Sequence, residues 1–108
     1  MNEMVFLFLL GLVFVSMCTQ AKGNEEMISL CKDKCLELKT TIDFSSGPCL
    51  MDPIRHDPNP ENVWVCDVAH SPRKTVDNFP YNQCSYYVDG FATHFIEVDE
   101  DCNLIRSQ

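Results

Sequence analysis

Between Asn24 and Thr41 the apolar positions recur at spacings of three and four residues, the period of an amphipathic helix. The apolar stripe consists of Ile28, Cys31, Cys35, Leu38 and Ile42. Asn24 suits the N-cap, and the two glutamates that follow it suit the positive end of the helix dipole. Cys31 and Cys35 lie one turn apart and point the same way. We therefore expect each of them to form a disulfide with a different later segment.

The next segment, from Thr40 to Pro80, is rich in turn-forming residues. It contains all six prolines of the chain, so a long helix does not fit here. Val63 to Val68 (VWVCDV) is the exception, because it is rich in β-branched and aromatic residues and apolar on both faces. This run predicts a buried strand that carries Cys66.

The last quarter of the chain predicts antiparallel strands. Cys84 to Val88 and Phe91 to Val98 are separated only by Asp89-Gly90, a dipeptide typical of hairpin turns. A second turn at residues 99–101 leads into Cys102 to Arg106, so we expect a three-stranded meander. The predicted fold class is α+β, with one N-terminal helix disulfide-linked to this small antiparallel sheet and a long Pro-rich connection between them.

The N-terminus has the pattern of an export signal. Val5 to Met17 is an uncharged, mainly apolar run that fits the hydrophobic region of a secretory signal and is shorter than the roughly twenty residues that span a bilayer. The residues before it include Glu3 and no basic residue, which leaves an uncleaved anchor as an alternative. We assign residues 1–21 to a signal segment and residues 24–108 to a single small disulfide-rich domain.

Two processing routes give Cys18 different fates. Cleavage after Ala21 follows a loosely suitable sequence and removes Cys18. Alternatively, Val15-Ser16-Met17-Cys18 resembles a lipoprotein box, in which the cysteine is lipidated and the residues after it form a tether. Met17 departs from the small residue that such boxes prefer, and both routes stay open. On either route we expect a secreted or extracytoplasmic protein, attached to a membrane only through a lipid or signal anchor.

Six cysteines follow Cys18, and an even number behind an export signal implies a disulfide framework. They are Cys31, Cys35, Cys49, Cys66, Cys84 and Cys102. Six cysteines allow fifteen pairings, and the sequence does not select one. The bridges have a physical purpose, since a domain of this size buries little apolar surface and each disulfide adds roughly 2 to 4 kcal/mol.

The chain is acidic, with 16 Asp and Glu against 8 Lys and Arg and a formal net charge of -8. Phosphate binding requires clustered Lys and Arg, so we expect no nucleic-acid partner. Four carboxylates stand close together at Glu97, Asp99, Glu100 and Asp101. We expect a solvated turn there, with calcium binding as a lesser alternative because EF-hand spacing is absent.

The stretch from Gly47 to Arg106 contains the blocks GPCL, WVCDVAHSPR, VDN, NQC and HFIEVDEDCNLIR. In these blocks the chain resembles a family of small exported archaeal proteins of unknown function. The resemblance implies an extracytoplasmic cysteine-containing domain and carries over no catalytic residue. Cys31 and Cys35 have the C-x3-C spacing of defensin-like folds, but the C-x-C pair of that fold is absent.

The densest group of polar residues begins at the end of the predicted strand and comprises Asp67, His70, Ser71, Arg73 and Asp77. A loop at the end of a buried strand is a place for a general base, an anion or a metal. The same residues also have structural uses, since aspartates cap turns and an arginine serves as their counter-ion. His94, on a later strand, is a further candidate for this site.

A metal site has weaker support. His56, His70 and His94 with a carboxylate would suit zinc, but no two of these histidines lie at a short ligand spacing. The C-x3-C pair has no second close pair, and the G-x-S-x-G and C-x-x-C motifs of nucleophilic and redox enzymes are absent. We therefore assign no metal, no cofactor and no catalytic residue.

Aromatic residues are numerous for so small a domain: Trp64, Phe79, Tyr81, Tyr86, Tyr87, Phe91 and Phe95. Those exposed beside the Pro-rich loop would form a recognition patch. The function we expect is a non-catalytic binding or surface-associated module that contacts a protein or glycan. The alternative is a small extracytoplasmic enzyme or metal-binding protein with a site around Asp67, His70, Arg73 and His94. A protease inhibitor with residues 51–61 as its reactive loop ranks third.

Overall fold

The computed structural model describes residues 24–108. The predicted signal segment and Cys18 therefore lie outside the described residues. The predicted helix is present as α1, which covers residues 24–38. It ends before Ile42, whose side chain is exposed rather than on the buried stripe, whereas Cys31 and Cys35 are fully buried.

In the described part of the chain, four strands form a mixed sheet in the order β1 (Cys49–Met51), β2 (Trp64–Val68), β3 (His94–Val98) and β4 (Leu104–Ser107). The outer pairs β1/β2 and β3/β4 are antiparallel, whereas the central strands β2 and β3 are parallel. The predicted α+β class is confirmed. The predicted three-stranded meander is wrong, because the sheet has four strands and its central pair runs in parallel.

The predicted hairpin at Asp89-Gly90 is wrong because Ser85–Val88 forms a short helix, α2. The carboxylate of Asp52 accepts hydrogen bonds from the backbone N–H groups of Ser85 and Tyr86 and from Ser85 Oγ, at 2.9, 2.9 and 2.6 Å. These bonds satisfy donors that a first helical turn leaves unpaired. Gly90 then adopts a φ of 84°, which glycine tolerates at a helix end, and β3 begins only at His94.

Residues 69–93 form the crossover that parallel neighbouring strands require. This connection contains two short 3-10 helices, Thr75–Asn78 and Pro80–Asn82, before α2. A further 3-10 helix, Pro60–Asn62, precedes β2. The crossover covers one face of the sheet, and α1 covers the other.

The three disulfides among residues 24–108 divide between the two faces of the sheet. On the α1 face, Cys31–Cys66 and Cys35–Cys102 lie in a buried cluster with Phe44, Val68, Ile96 and Val98. This confirms that the two helix cysteines bridge to different later segments. On the crossover face, Cys49–Cys84 joins β1 to the start of α2, beside Val65 and Ala92.

Replacing Cys35 and Cys102 together by alanine should lower the free energy of unfolding by about 4 kcal/mol, because their bridge closes a long loop. Their sequence separation is 67 residues. Urea unfolding followed by circular dichroism measures the change. Leu36→Ala, at an exposed position on the same helix, is the matched control and should stay within about 0.5 kcal/mol of the wild type. An unchanged unfolding midpoint in the double variant would contradict the structural role of this bridge.

Candidate functional site

A cavity of about 160 Å³ lies between the crossover and the face of the sheet that α1 leaves uncovered. We call it the polar cavity. Strands β2, β3 and β4 supply Val65, Asp67, Phe95, Glu97 and Arg106, and the crossover supplies Arg73, Gln83, Cys84 and Tyr87. Strand alternation produces this lining, because Asp67 and Glu97 follow the core residues Cys66 and Ile96 and point to the opposite face.

Glu97 is the central charged group of the polar cavity. Its side chain is only 5% exposed and lies between two guanidinium groups. Arg73 Nη1 donates to Glu97 Oε2 at 2.8 Å, and Arg106 Nε donates to Glu97 Oε1. The bond to Glu97 raises the pKa of Arg73 above its ordinary value, so this guanidinium stays charged. A carboxylate so deeply buried is tolerated because it has two cationic partners.

Each arginine is also held by a second contact. Arg73 Nε donates to Asn78 Oδ1 at 2.8 Å, and its Nη2 donates to the backbone oxygen of Asp77 at 3.2 Å. The Arg106 guanidinium lies over the ring of Phe95, with its central carbon 5.0 Å from the ring centroid. The positions of both cations are therefore set by the crossover and by the sheet.

Asp67 is paired in register with Glu97 across the two parallel strands. Among the described residues, no group forms a hydrogen bond with its buried Oδ1 atom. Burial raises the pKa of Asp67 to about 8, and the negative charge of Glu97 adds to this effect, while Arg73 opposes it. At neutral pH the Asp67 carboxyl is therefore mainly protonated and is both a hydrogen-bond donor and an acceptor.

A second group of polar side chains surrounds His70, which is buried. Its Nδ1 lies 2.8 Å from Asp77 Oδ1, and its Nε2 lies 2.6 Å from Glu100 Oε1. Burial acts to raise the pKa of Asp77. Hydrogen bonds from the backbone of Lys74 and His70 and from the His70 ring have a larger, opposite effect, so the pKa of Asp77 is below its ordinary value. These contacts make Asp77 an ionised anchor for the crossover.

The structure places the residues of the sequence-predicted polar site in three positions. Asp67 and Arg73 line the polar cavity, and His70 and Asp77 form the adjoining pair. Ser71 is exposed beside them. His94 lies on the other face of β3, where its ring stacks on Trp64 at a centroid distance of 4.3 Å. Asp67, His70, Arg73 and His94 therefore do not meet in one cavity.

Sequence reasoning missed Glu97 and Arg106 as site residues. The cluster of four carboxylates predicts a solvated acidic turn for Glu97, yet its side chain is buried in the middle of the sheet. The signal was present in the strand alternation, because a residue between the buried Ile96 and Val98 must point to the opposite face. Arg106 is paired with Glu97 across the β3/β4 register, and this pairing depends on the hairpin between those strands.

A third feature is an open groove of about 420 Å³ beside the Pro-rich loop. We call it the aromatic groove. It is lined by His56, Asp57, Pro58, Pro60, Tyr86 and Phe91. The ring centroids of Tyr86 and Phe91 lie 5.7 Å apart. The His56 ring contacts Tyr86 edge-on, with the two centroids 6.2 Å apart. Phe91 is 60% exposed, so most of this ring is available for contact.

Within residues 24–108, Cys49, Asp52 and Cys84 bring three potential metal-ligand atoms within 4.8 Å of one another. The two sulfur atoms form a disulfide, and the Asp52 carboxylate accepts bonds from the start of α2. A disulfide sulfur is not the thiolate that binds metals, and the Asp52 carboxylate already accepts three hydrogen bonds, so this cluster has the features of a cross-link. None of the helices in this range is both long and apolar enough to span a bilayer.

The protonated state of Asp67 predicts a specific pH dependence of stability. The pKa of Asp67 is about 8 in the folded protein against an ordinary value of 3.8, so the folded state holds a proton that the unfolded state releases and loses stability as pH rises between these values. Asp67→Asn keeps the shape and removes the titration. The wild-type free energy of unfolding should fall relative to that of the variant by up to about 1.4 kcal/mol per pH unit in this window.

Urea unfolding of both proteins from about pH 5 to pH 8 gives this difference directly, and titrating groups that do not interact with Asp67 cancel in the comparison. A difference that stays constant with pH would show that Asp67 is already ionised in the folded protein.

No protein-family model, no curated protein and no solved structure matches the chain.

Proposed function

We propose that this protein is an extracytoplasmic, disulfide-stabilised and non-catalytic binding module that contacts an extended segment of a partner protein through the aromatic groove. The observation that carries the proposal is the exposed ring of Phe91 in a groove with Tyr86 and the prolines of the preceding loop. Exposed aromatic side chains contribute most to protein recognition when they are held in place. The three disulfides support an oxidising, extracytoplasmic environment.

The walls of the aromatic groove are fixed by bonds between distant segments. Thr93 donates to the backbone oxygen of Pro60 from both its N–H and its Oγ1, at 3.2 and 3.0 Å. The backbone N–H of Phe91 donates to the backbone oxygen of Tyr86 at 2.8 Å. Asp52 and the Cys49–Cys84 disulfide hold the start of α2. A groove formed before binding loses little conformational entropy when its partner arrives.

The charge of the chain indicates what kind of segment fits. Asp57 lines the aromatic groove, and the whole chain has a net charge of -8. An apolar side chain of the partner would pack on the surface formed by the rings of Tyr86 and Phe91, and a neighbouring Lys or Arg would pair with Asp57. Complementary charge of this kind favours a basic partner and speeds association.

In the first step of the test, the immobilised domain captures partners from the extracytoplasmic proteins of the native host, and the amount of each captured protein is measured. In the second step, the affinity of the domain for the purified partner is measured. Phe91→Ser should weaken binding at least about thirtyfold, since removal of a central aromatic anchor costs 2 kcal/mol or more. Leu36→Ser changes an exposed apolar residue on α1, away from the groove, and should leave the affinity unchanged.

Equal binding by the wild type and Phe91→Ser would contradict the proposed role of the groove. A glycan array is the parallel measurement. Saturable glycan binding that Phe91→Ser abolishes, without a protein partner, would assign the aromatic groove to a carbohydrate instead.

A further inference from the structure

We infer that the polar cavity is a second binding site, separate from the aromatic groove, and that it takes a small monocarboxylate with a short apolar body. The site combines two guanidinium groups, a deeply buried carboxylate, an unpartnered carboxyl oxygen and an apolar wall in one cavity. This inference does not depend on the protein partner proposed for the groove.

The dimensions of the polar cavity set the size of the ligand. Its volume of about 160 Å³ matches that of cavities which hold one benzene-sized molecule, about six non-hydrogen atoms. Val65, Phe95 and Tyr87 provide an apolar wall, and the side chains of Asp67, Gln83 and the two arginines provide polar contacts. A ligand with one charged end and a short hydrocarbon chain fits this division.

The charged side chains of the polar cavity determine the sign of the charge that the ligand carries. Arg73 and Arg106 contribute two positive charges, and Glu97 neutralises one of them. Asp67 carries little negative charge at neutral pH, because burial and the charge of Glu97 raise its pKa. The lining therefore has a net charge of about +1, and one carboxylate would balance it.

Arg106 has the donors that a carboxylate needs. Within residues 24–108 its hydrogen bonding to protein uses Nε, which donates to Glu97 and leaves both Nη groups without a protein acceptor. Two Nη groups on one edge of a guanidinium match the two oxygens of a carboxylate. By contrast, Arg73 uses Nε, Nη1 and Nη2 for Asn78, Glu97 and Asp77. Arg106 is thus the binding cation, and Arg73 is the one that holds Glu97.

Asp67 supplies the second contact. In its protonated form the carboxyl donates one hydrogen bond, and its buried Oδ1 has no partner among the described residues. A carboxylate ligand accepts that bond. Deprotonation of Asp67 would add a negative charge that repels the carboxylate of the ligand, beside the charge of Glu97 and with Asp77 nearby. Only the positive charges of Arg73 and Arg106 would oppose this repulsion. Binding should therefore weaken as Asp67 ionises.

The experiment is a titration of the uniformly ¹⁵N-labelled domain, disulfides intact, with butyrate, followed by backbone and arginine side-chain chemical shifts. At about pH 6 we expect saturable shifts at Arg106, Gln83 and Phe95 with a Kd of about 1 mM or below. Butyramide, its neutral analogue of similar shape, should bind at least about tenfold more weakly, since it lacks the charge that the guanidinium recognises.

Two variants separate the contributions of Arg106 and Asp67 to butyrate binding. Arg106→Gln should weaken butyrate binding at least about tenfold. The control Arg55→Gln changes an exposed arginine that pairs with Glu26 and does not line the polar cavity, so it should have no effect. Asp67→Asn should retain binding at about pH 9, where the wild type loses it, because the amide does not ionise.

Equal affinity for butyrate and butyramide would overturn the inference, as would the absence of saturable shifts with either compound. Amide shifts and disulfide mapping confirm in each variant that the fold is intact. Loss of butyrate binding in Arg106→Gln with normal partner binding would establish the polar cavity and the aromatic groove as separate sites.

Discussion

The Cys31–Cys66 and Cys35–Cys102 disulfides hold α1 against one face of the sheet, and the remaining architecture depends on this covalent contact. In a chain of this size, hydrophobic burial alone gives a small margin over the loss of chain entropy. The four sulfur atoms also fill the core beside Ile96 and Val98, so the bridges serve both as cross-links and as apolar packing. Once α1 closes this face, the crossover at residues 69–93 is left to cover the other.

The two central strands then serve two purposes at once. Cys66 and Ile96 belong to the core under α1, and the residues that follow them, Asp67 and Glu97, line the polar cavity. Burial of an ion pair seldom adds stability compared with apolar residues of the same size, because removing the charges from water is costly. Glu97 carries this cost in full because its side chain is 5% exposed, whereas the side chains of Arg73 and Arg106 stay 38% and 53% exposed. The exposed guanidinium of Arg106 is the group through which we propose that a ligand binds.

The short helix α2 links the two proposed sites. Asp52 and the Cys49–Cys84 bridge hold its first turn, and its consecutive residues Tyr86 and Tyr87 contribute to the aromatic groove and to the polar cavity. Tyr87 also packs edge-on against Phe95, with ring centroids 5.2 Å apart. Both sites thus rest on an element whose position is fixed by bonds to β1 and the loop after it, which limits how far either can rearrange on binding.

The sequence by itself determined the features that depend on local pattern. The 3.6-residue period placed α1 and its two buried cysteines, β-branched residues placed β2, and the even cysteine count indicated the disulfide framework. The polar residues at the end of β2 and in the segment after it also indicated Asp67 and Arg73, which both line the polar cavity. These inferences succeeded because their physical causes act between residues close together in the chain.

Only the tertiary structure decided the rest. Asp89-Gly90 has the local chemistry of a hairpin, but the distant carboxylate of Asp52 stabilises a helical turn at Ser85–Val88 instead. The cysteine pairing, the parallel contact of β2 with β3 and the burial of Glu97 between Arg73 and Arg106 likewise join residues far apart in sequence. Such contacts are selected by the free energy of the whole packed domain, which no local window of the sequence contains.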